Sequence, residues 1–157
     1  MTITNVMRLL TKAGITYDTA EYEVDESDLS GVHAAEMLGF DVESVFKTLV
    51  ARGDKNGINV FVIPVKEELD LKKCAVVSGN KKIEMIKLSE LLPLTGYIRG
   101  GCSPIGMKKK YSTYIDETAV LSERISISAG QRGVQVLIAS DDLLNYIDAK
   151  YADLIKT

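Results

Sequence analysis

Two short apolar segments rich in β-branched residues, Thr48–Ala51 and Ile58–Val65, are separated by a polar stretch that ends in Asp54–Gly57. Val, Ile, Thr and Phe favour strands, whereas Asp, Asn and Gly are typical of turns. The pattern therefore predicts a β-hairpin with a polar turn, and it requires any fold of this chain to contain a sheet.

Helix signals flank this hairpin. Apolar residues recur at helical spacing, and glycines stand where helices end. The predicted helices are residues 3–13, stopped by Gly14; residues 32–38, stopped by Gly39; residues 71–78, capped by Asp70 and stopped by Gly79; and a C-terminal helix capped by Ser140, whose face carries Leu144, Ile147, Tyr151 and Leu154. A further helical turn is predicted to begin at Asp41.

The remaining apolar segments are short and β-prone. They are predicted to form strands at residues 15–24, 83–86, 97–99, 112–116, 124–128 and 134–138. Helices and short strands without a regular βαβ alternation predict a mixed α/β (α+β) fold. A chain of 157 residues suits one domain, so residues 1–157 are expected to form a single unit.

The net charge of −3 hides an asymmetry along the chain. Residues 1–70 carry 6 basic and 13 acidic side chains, a net of −7, whereas residues 71–157 carry 13 basic and 9 acidic ones, a net of +4. This balance excludes a uniformly basic nucleic-acid binder. Nine basic residues between 71 and 110 leave two interpretations open, a local contact for a polyanion or ordinary solvated lysines.

Most catalytic motifs are missing. One histidine, His33, and two separated cysteines, Cys74 and Cys102, form no metal-ligand pattern, so no metal or cofactor is expected. Cys74 is predicted to be a core residue. Cys102 as a nucleophile assisted by His33 is a weak alternative, because no third group is recognisable. Few cysteines and no long apolar run predict a cytoplasmic protein without a membrane segment.

Two features remain unusual. Lys47 lies among Val45, Phe46 and Leu49, where its ammonium group is either held against the core or extended to water. The glycine-rich segment 100–106 permits close backbone approach at Gly100 and Gly101. Exposed N–H groups there suit a carbonyl oxygen or an oxyanion, although an ordinary β-turn uses the same residues.

These residues belong to a wider pattern. The chain resembles the YbaK family of free-standing aminoacyl-tRNA deacylases, which are related to the editing insertion domain of bacterial prolyl-tRNA synthetase. Lys47 matches the family's functional lysine, and Gly100 and Pro104 match its G-x-x-x-P loop. The matching blocks, in chain order, are EYEVD, LGFDVESVFKTLV, LDLKK, TGYIRGGCSPIGMKKK, ISISAGQRG and DLLNYIDAKYADL.

The resemblance implies a fold and a set of roles. The fold would be a mixed, largely antiparallel, barrel-like sheet flanked by helices, and the reaction would remove a mischarged small amino acid, most often cysteine, from Cys-tRNA(Pro). Its implied site residues are Lys47, Gly100 and Gly101 for catalysis; Tyr22, Cys102, Ser103, Pro104 and Ser128 for substrate binding; and Lys108, Lys109 and Lys110 for weak contacts to tRNA phosphates. The implied partners are the CCA end of tRNA and a prolyl-tRNA synthetase.

Departures from the family pattern keep the substrate open. Cys102 stands where an aliphatic residue is expected, Leu29 or Ser30 near an aromatic position, and Gln135 at a position that is acidic in some relatives. These changes surround the implied pocket, so alanine or another small amino acid is an alternative to cysteine. In the cysteine branch the substrate thiol can attack its own ester, which would release the amino acid as a thiolactone, and hydrolysis by water is the alternative route. A binding module without catalysis is the alternative from another class.

Overall fold

A computed structural model describes residues 2–157. The helices of this part of the chain are α1 (Asn5–Lys12), α2 (Gly31–Leu38), α3 (Leu71–Ser78), α4 (Leu88–Thr95) and α5 (Ser140–Tyr146). Its strands are β1 (Asp18–Glu21), β2 (Phe46–Gly53), β3 (Gly57–Pro64), β4 (Ile83–Met85), β5 (Ser112–Asp116), β6 (Ile125–Ser128), β7 (Val134–Ile138) and β8 (Lys150–Ala152). Within residues 2–157, no helix is long and apolar enough to cross a membrane.

The predicted hairpin lies at the centre of the larger sheet. Strands β2 and β3 pair antiparallel over eight residues, from Phe46 opposite Pro64 to Gly53 opposite Gly57. Gly57 closes the turn with φ +78°, a conformation that glycine adopts without strain. The full strand order is β4-β2-β3-β5-β8, in which β5 runs parallel to both of its neighbours.

A second, antiparallel sheet of three strands has the order β1-β7-β6. One parallel bridge between Val45 and Ser126 connects it to the five-stranded sheet. The main apolar core includes Leu10 of α1, Val62 of β3, Ile127 of β6 and Val136 of β7, all fully buried. The mixed, largely antiparallel fold is thus confirmed, and the strands form two joined sheets rather than one closed barrel.

The first three predicted helices are confirmed. Thr4 caps α1, while α2 and α3 end at Gly39 and Gly79, both with left-handed backbone. The Asp70 carboxylate accepts hydrogen bonds from the first turn of α3, as predicted. The turn predicted at Asp41 is a short 3₁₀ helix over Val42–Ser44. Cys74 is fully buried, as predicted.

The C-terminal helix prediction was wrong beyond Tyr146. Helix α5 begins after Ala139, no side chain caps it, and residues 150–152 leave the helix to form β8 beside β5. The buried Asp116 carboxylate accepts the N–H group of Leu154 at 3.0 Å and fixes this exit. Tertiary pairing therefore overrides the helical spacing of Tyr151 and Leu154.

Two other predictions also differ from the structure. The strand predicted over residues 15–24 is limited to β1, because only Asp18–Glu21 pair with β7. Residues 97–99 form no strand and lead into a turn. Before them lies α4, which the sequence analysis missed; it contains Pro93 in its interior and ends at Gly96 with φ +86°.

Candidate active site

A cavity of about 580 Å³ opens along one edge of β2. This edge of β2 is contacted by other strands only near its two ends. At one end β4 pairs with residues 51–53, and at the other end β6 forms a bridge with Val45. The gap between these two contacts is the cavity. Five of the predicted site residues line it, namely Tyr22, Lys47, Gly100, Cys102 and Ser128.

Lys47 is held by β2, where its backbone lies opposite Ile63 of β3. Its side chain is half-buried, and it forms no ion pair with any carboxylate in residues 2–157. Burial lowers the pKa of the amine from 10.5, and the charges of Glu68 and Glu67 partly oppose this shift. An ammonium group without a partner inside a cavity favours an anionic ligand or a transition state with developing negative charge.

The glycine-rich segment enters the cavity as a tight turn over residues 98–101. The N–H group of Gly101 donates to the carbonyl oxygen of Ile98 at 3.0 Å, and Gly100 has φ +85°. This bond occupies the Gly101 N–H group, which is therefore not free for a substrate carbonyl as the resemblance implied. The Gly100 N–H group is the one that the turn leaves for a ligand.

Gly101 has a different function, which is steric. A Cβ atom at this position would lie 3.1 Å from the backbone nitrogen of Arg132 and 3.2 Å from the carbonyl carbon of Gln131. Backbone atoms cannot yield as flexible side chains do. Gly101 thus allows the turn to lie directly against the loop of residues 130–133.

The other half of the glycine-rich segment points away from the cavity. Ser103 is fully buried, and its Oγ accepts the N–H group of Ile105 at 3.3 Å. Pro104 lines a second groove of about 300 Å³, together with Lys109 and Lys110. Ser103, Pro104 and the lysines at 108–110 are therefore not brought together with Lys47 around the first cavity.

Cys102 lies in the cavity wall as a neutral thiol. Burial raises its pKa to about 12, although a hydrogen bond with Thr95 acts in the opposite direction. His33 does not line this cavity and forms no hydrogen bond with Cys102; its Nδ1 atom lies 3.7 Å from an oxygen of Asp28. A thiol with a raised pKa and no neighbouring base is a poor nucleophile, so the geometry does not support a cysteine hydrolase.

Three polar residues beyond the predicted site residues also line the cavity, and two of them, Lys87 and Arg99, belong to the nine basic residues between 71 and 110. The Thr48 hydroxyl is buried in the cavity wall without a hydrogen-bond partner in the described chain. Lys87 and Arg99 are exposed residues that also line the cavity. Lys87 precedes α4 directly, so missing that helix concealed its position; nothing in the local sequence distinguishes Thr48.

A cationic, partly apolar cavity beside a glycine turn fits the ester end of an aminoacyl nucleotide, and sequence comparison agrees. The model of the family described as the aminoacyl-tRNA editing domain matches residues 29–146. The chain belongs to this family.

Two relatives and one solved structure show which members of this family the chain is similar to. A protein of Enterococcus faecalis (strain ATCC 700802 / V583) that bears the name Cys-tRNA(Pro)/Cys-tRNA(Cys) deacylase EbsC is 46% identical over 151 residues, which cover 96% of this chain and 92% of that protein. The proline–tRNA ligase of Shouchella clausii is 32% identical over 100 residues, 64% of this chain and 17% of the ligase. The structure of a trans-editing enzyme for prolyl-tRNA synthetase superposes with TM-score 0.84 at 25% identity, covering 99% and 100% of the two chains.

Proposed function

We propose that this chain is a trans-acting aminoacyl-tRNA deacylase that removes cysteine from mischarged Cys-tRNA(Pro). The unpaired Lys47 ammonium group inside the cavity is the observation that carries the proposal. Family membership and the 46% identity to the protein named EbsC support the same reaction class. A cavity of about 580 Å³ is also within the usual range for small-molecule sites.

The proposed mechanism depends on position and charge. Lys47 orients the 3′-terminal adenosine ester and stabilises the negative charge that develops on the carbonyl oxygen. The Gly100 N–H group donates to the same oxygen. Tyr22, Ser128 and Cys102 surround the amino acid, and burial raises the pKa of Tyr22, so its phenol stays neutral. An activated ester needs a well-placed attacking group more than a strong enzyme nucleophile.

Cysteine supplies that group itself. The substrate thiol loses its proton, its sulfur forms a bond to the carbonyl carbon, and the ester C–O bond breaks. The ribose 3′-oxygen leaves and takes up a proton, and the amino acid departs as a thiolactone. Intramolecular attack of this kind reaches effective molarities of about 10⁵ M or more, so the enzyme needs only to hold the geometry. Attack by water would instead release free cysteine.

The test is a panel of Cys-, Ala- and Ser-tRNA(Pro), followed for release of the amino acid, with the products identified by mass spectrometry. We expect rapid release from Cys-tRNA(Pro) and slow release from the other two, because alanine has no side-chain nucleophile and serine has a weaker one. Preferential release of alanine would reassign the substrate. Binding without release from any of the three would make the protein a recognition module.

Substrate phosphates are proposed to bind at the cavity rather than at the distant lysines. Lys87 and Arg99 line it and carry no ion pair in residues 2–157. Lys110 pairs with Asp148 beside the second groove, so for Lys108–Lys110 we propose weak contacts to phosphates farther along the acceptor stem. Removing Lys87 and Arg99 together should reduce the salt dependence of log KM by about 0.7 per lost contact, whereas Lys108→Ala should reduce it less, because its phosphate contact is weaker.

A synthetase partner is the last part of this proposal. A chain with net charge −3 that binds only the CCA end has little surface with which to distinguish tRNAs. We propose that prolyl-tRNA synthetase supplies this selectivity and that both act in the cytoplasm, where tRNA is charged. Adding the synthetase should increase the preference for tRNA(Pro) over tRNA(Cys); an unchanged preference would contradict the partnership.

A further inference from the structure

Arg132 connects the loops around the cavity without lining the cavity itself. Its Nε atom donates to the carbonyl oxygen of Arg99 at 2.8 Å, and one terminal nitrogen lies 4.0 Å from the Glu26 carboxylate. The side chain is 30% exposed, so these contacts hold it at the protein surface behind the turn. The residue therefore joins the turn of residues 98–101 to the segment that carries Glu26.

The same loop fixes two further parts of the cavity wall. Arg132 lies over Gly100, where an added Cβ atom would be 3.4 Å from its Cγ and Nε atoms. The adjacent Gly133 accepts the N–H group of Tyr22 at 2.9 Å. Both glycines of the loop, Gly130 and Gly133, have positive φ, so the loop has a defined shape that places the arginine.

The bond to Arg99 sets the direction of one peptide group. The carbonyl oxygen and the N–H group of a trans peptide point to opposite sides, and the described chain contains no cis peptide. Because the Arg99 carbonyl is directed to Arg132, the Gly100 N–H group is directed away from it. Arg99 and Gly100 line the cavity and Arg132 does not, which leaves this N–H group on the cavity side.

We infer that Arg132 is a positioning residue: by binding the Arg99 carbonyl it holds the Gly100 N–H group towards the substrate's carbonyl oxygen. Without this bond the Arg99–Gly100 peptide can rotate, since φ and ψ at a turn glycine are soft. Rotation would remove a donor from the developing oxyanion while leaving the cavity open to substrate. The inference rests on the proposed deacylase function, because it assigns a role within that reaction.

The experiment compares Arg132→Gln and Arg132→Ala with Arg124→Gln, a control that removes a surface arginine whose partner is Asp18 on β1. For both Arg132 variants we expect kcat on Cys-tRNA(Pro) to fall about 10- to 100-fold with KM nearly unchanged, the usual effect of a displaced oxyanion donor. Arg124→Gln should keep the wild-type kcat. Guanidinium ion at millimolar concentration should restore part of the activity of Arg132→Ala, which leaves space for it.

A second readout does not depend on turnover. In the ¹⁵N–¹H spectrum of the wild type, the Gly100 amide should shift when a non-hydrolysable 3′-amide analogue of cysteinyl-adenosine binds, and this shift should be lost in Arg132→Gln. An unchanged kcat in Arg132→Gln, or a Gly100 amide that responds equally in both proteins, would overturn the inference. An inactive wild type whose Gly100 amide still responds would contradict the proposed function and would limit the role of Arg132 to directing the Gly100 N–H group at a bound ligand.

Discussion

Replacing Gly101 with alanine tests whether the close contact between the glycine turn and the loop of residues 130–133 determines activity. The new Cβ atom would lie 3.1, 3.2 and 3.3 Å from three backbone atoms of Arg132 and Gln131. The two backbones must then separate by a few tenths of an ångström. Overpacking of this kind costs about 1–3 kcal/mol of unfolding free energy.

The same displacement moves the Arg99–Gly100 peptide. Because small misplacements of catalytic groups carry a large penalty, we expect kcat for Cys-tRNA deacylation to fall about 10- to 100-fold. Urea unfolding measures the first effect, and single-turnover release of cysteine measures the second. The two readouts separate a loss of geometry from a loss of folded protein.

Gly39→Ala is the matched control. Gly39 has φ +69°, but an added Cβ atom would meet nothing within 4 Å, so this variant carries backbone strain of about 1–2 kcal/mol without a displaced loop. We expect it to be less stable than the wild type and equally active. Wild-type kcat in Gly101→Ala, or an equal loss of kcat in Gly39→Ala, would refute the argument from loop contact.

Three further predictions concern single groups. Cys102→Ser should keep most of its activity, because burial raises the thiol pKa to about 12; complete loss would restore the cysteine nucleophile. Burial lowers the Lys47 pKa below 10.5, so kcat/KM should fall as the pH rises through that pKa and the amine loses its charge. The stability of the fold should increase over the same pH range, because the unfolded chain binds the proton more tightly. A parallel loss of kcat/KM and of stability would contradict this. Asp116→Ala should lower the free energy of unfolding, measured in urea, by about 1–3 kcal/mol, because the Leu154 N–H group loses its acceptor; an unchanged midpoint would contradict this.

Local signals in the sequence were sufficient for much of the fold. The hairpin was predictable because strand residues and turn residues coincide there, and α2 and α3 were predictable because each ends at a left-handed glycine. Helix α4 was missed because proline is disfavoured in the interior of a helix, and Pro93 lies inside this one. Strand β8 depends on pairing with β5 across distant sequence, which no local pattern shows.

The family resemblance predicted part of the site, and the structure brings five of those residues together around one cavity. Lys47, Tyr22 and Ser128 were assigned through the family resemblance and do line one cavity. The assignment of Gly101 as a donor did not anticipate that its N–H group closes the turn. The roles of Arg132 and Thr48 depend on neighbours in three dimensions, which the order of residues does not reveal. Arg132 lies behind the Arg99–Gly100 peptide, and the buried Thr48 hydroxyl has no hydrogen-bond partner in residues 2–157.

The central claim is that this cavity cleaves the ester of Cys-tRNA(Pro) with the help of the Lys47 charge. Its most direct test is the single-turnover release of cysteine by the wild type and by Lys47→Ala, with Arg124→Gln as a control. We predict rapid release by the wild type and the control, and a loss of about 10²- to 10³-fold in Lys47→Ala, the usual effect of removing one oxyanion stabiliser. Equal rates in the wild type and Lys47→Ala would contradict the account.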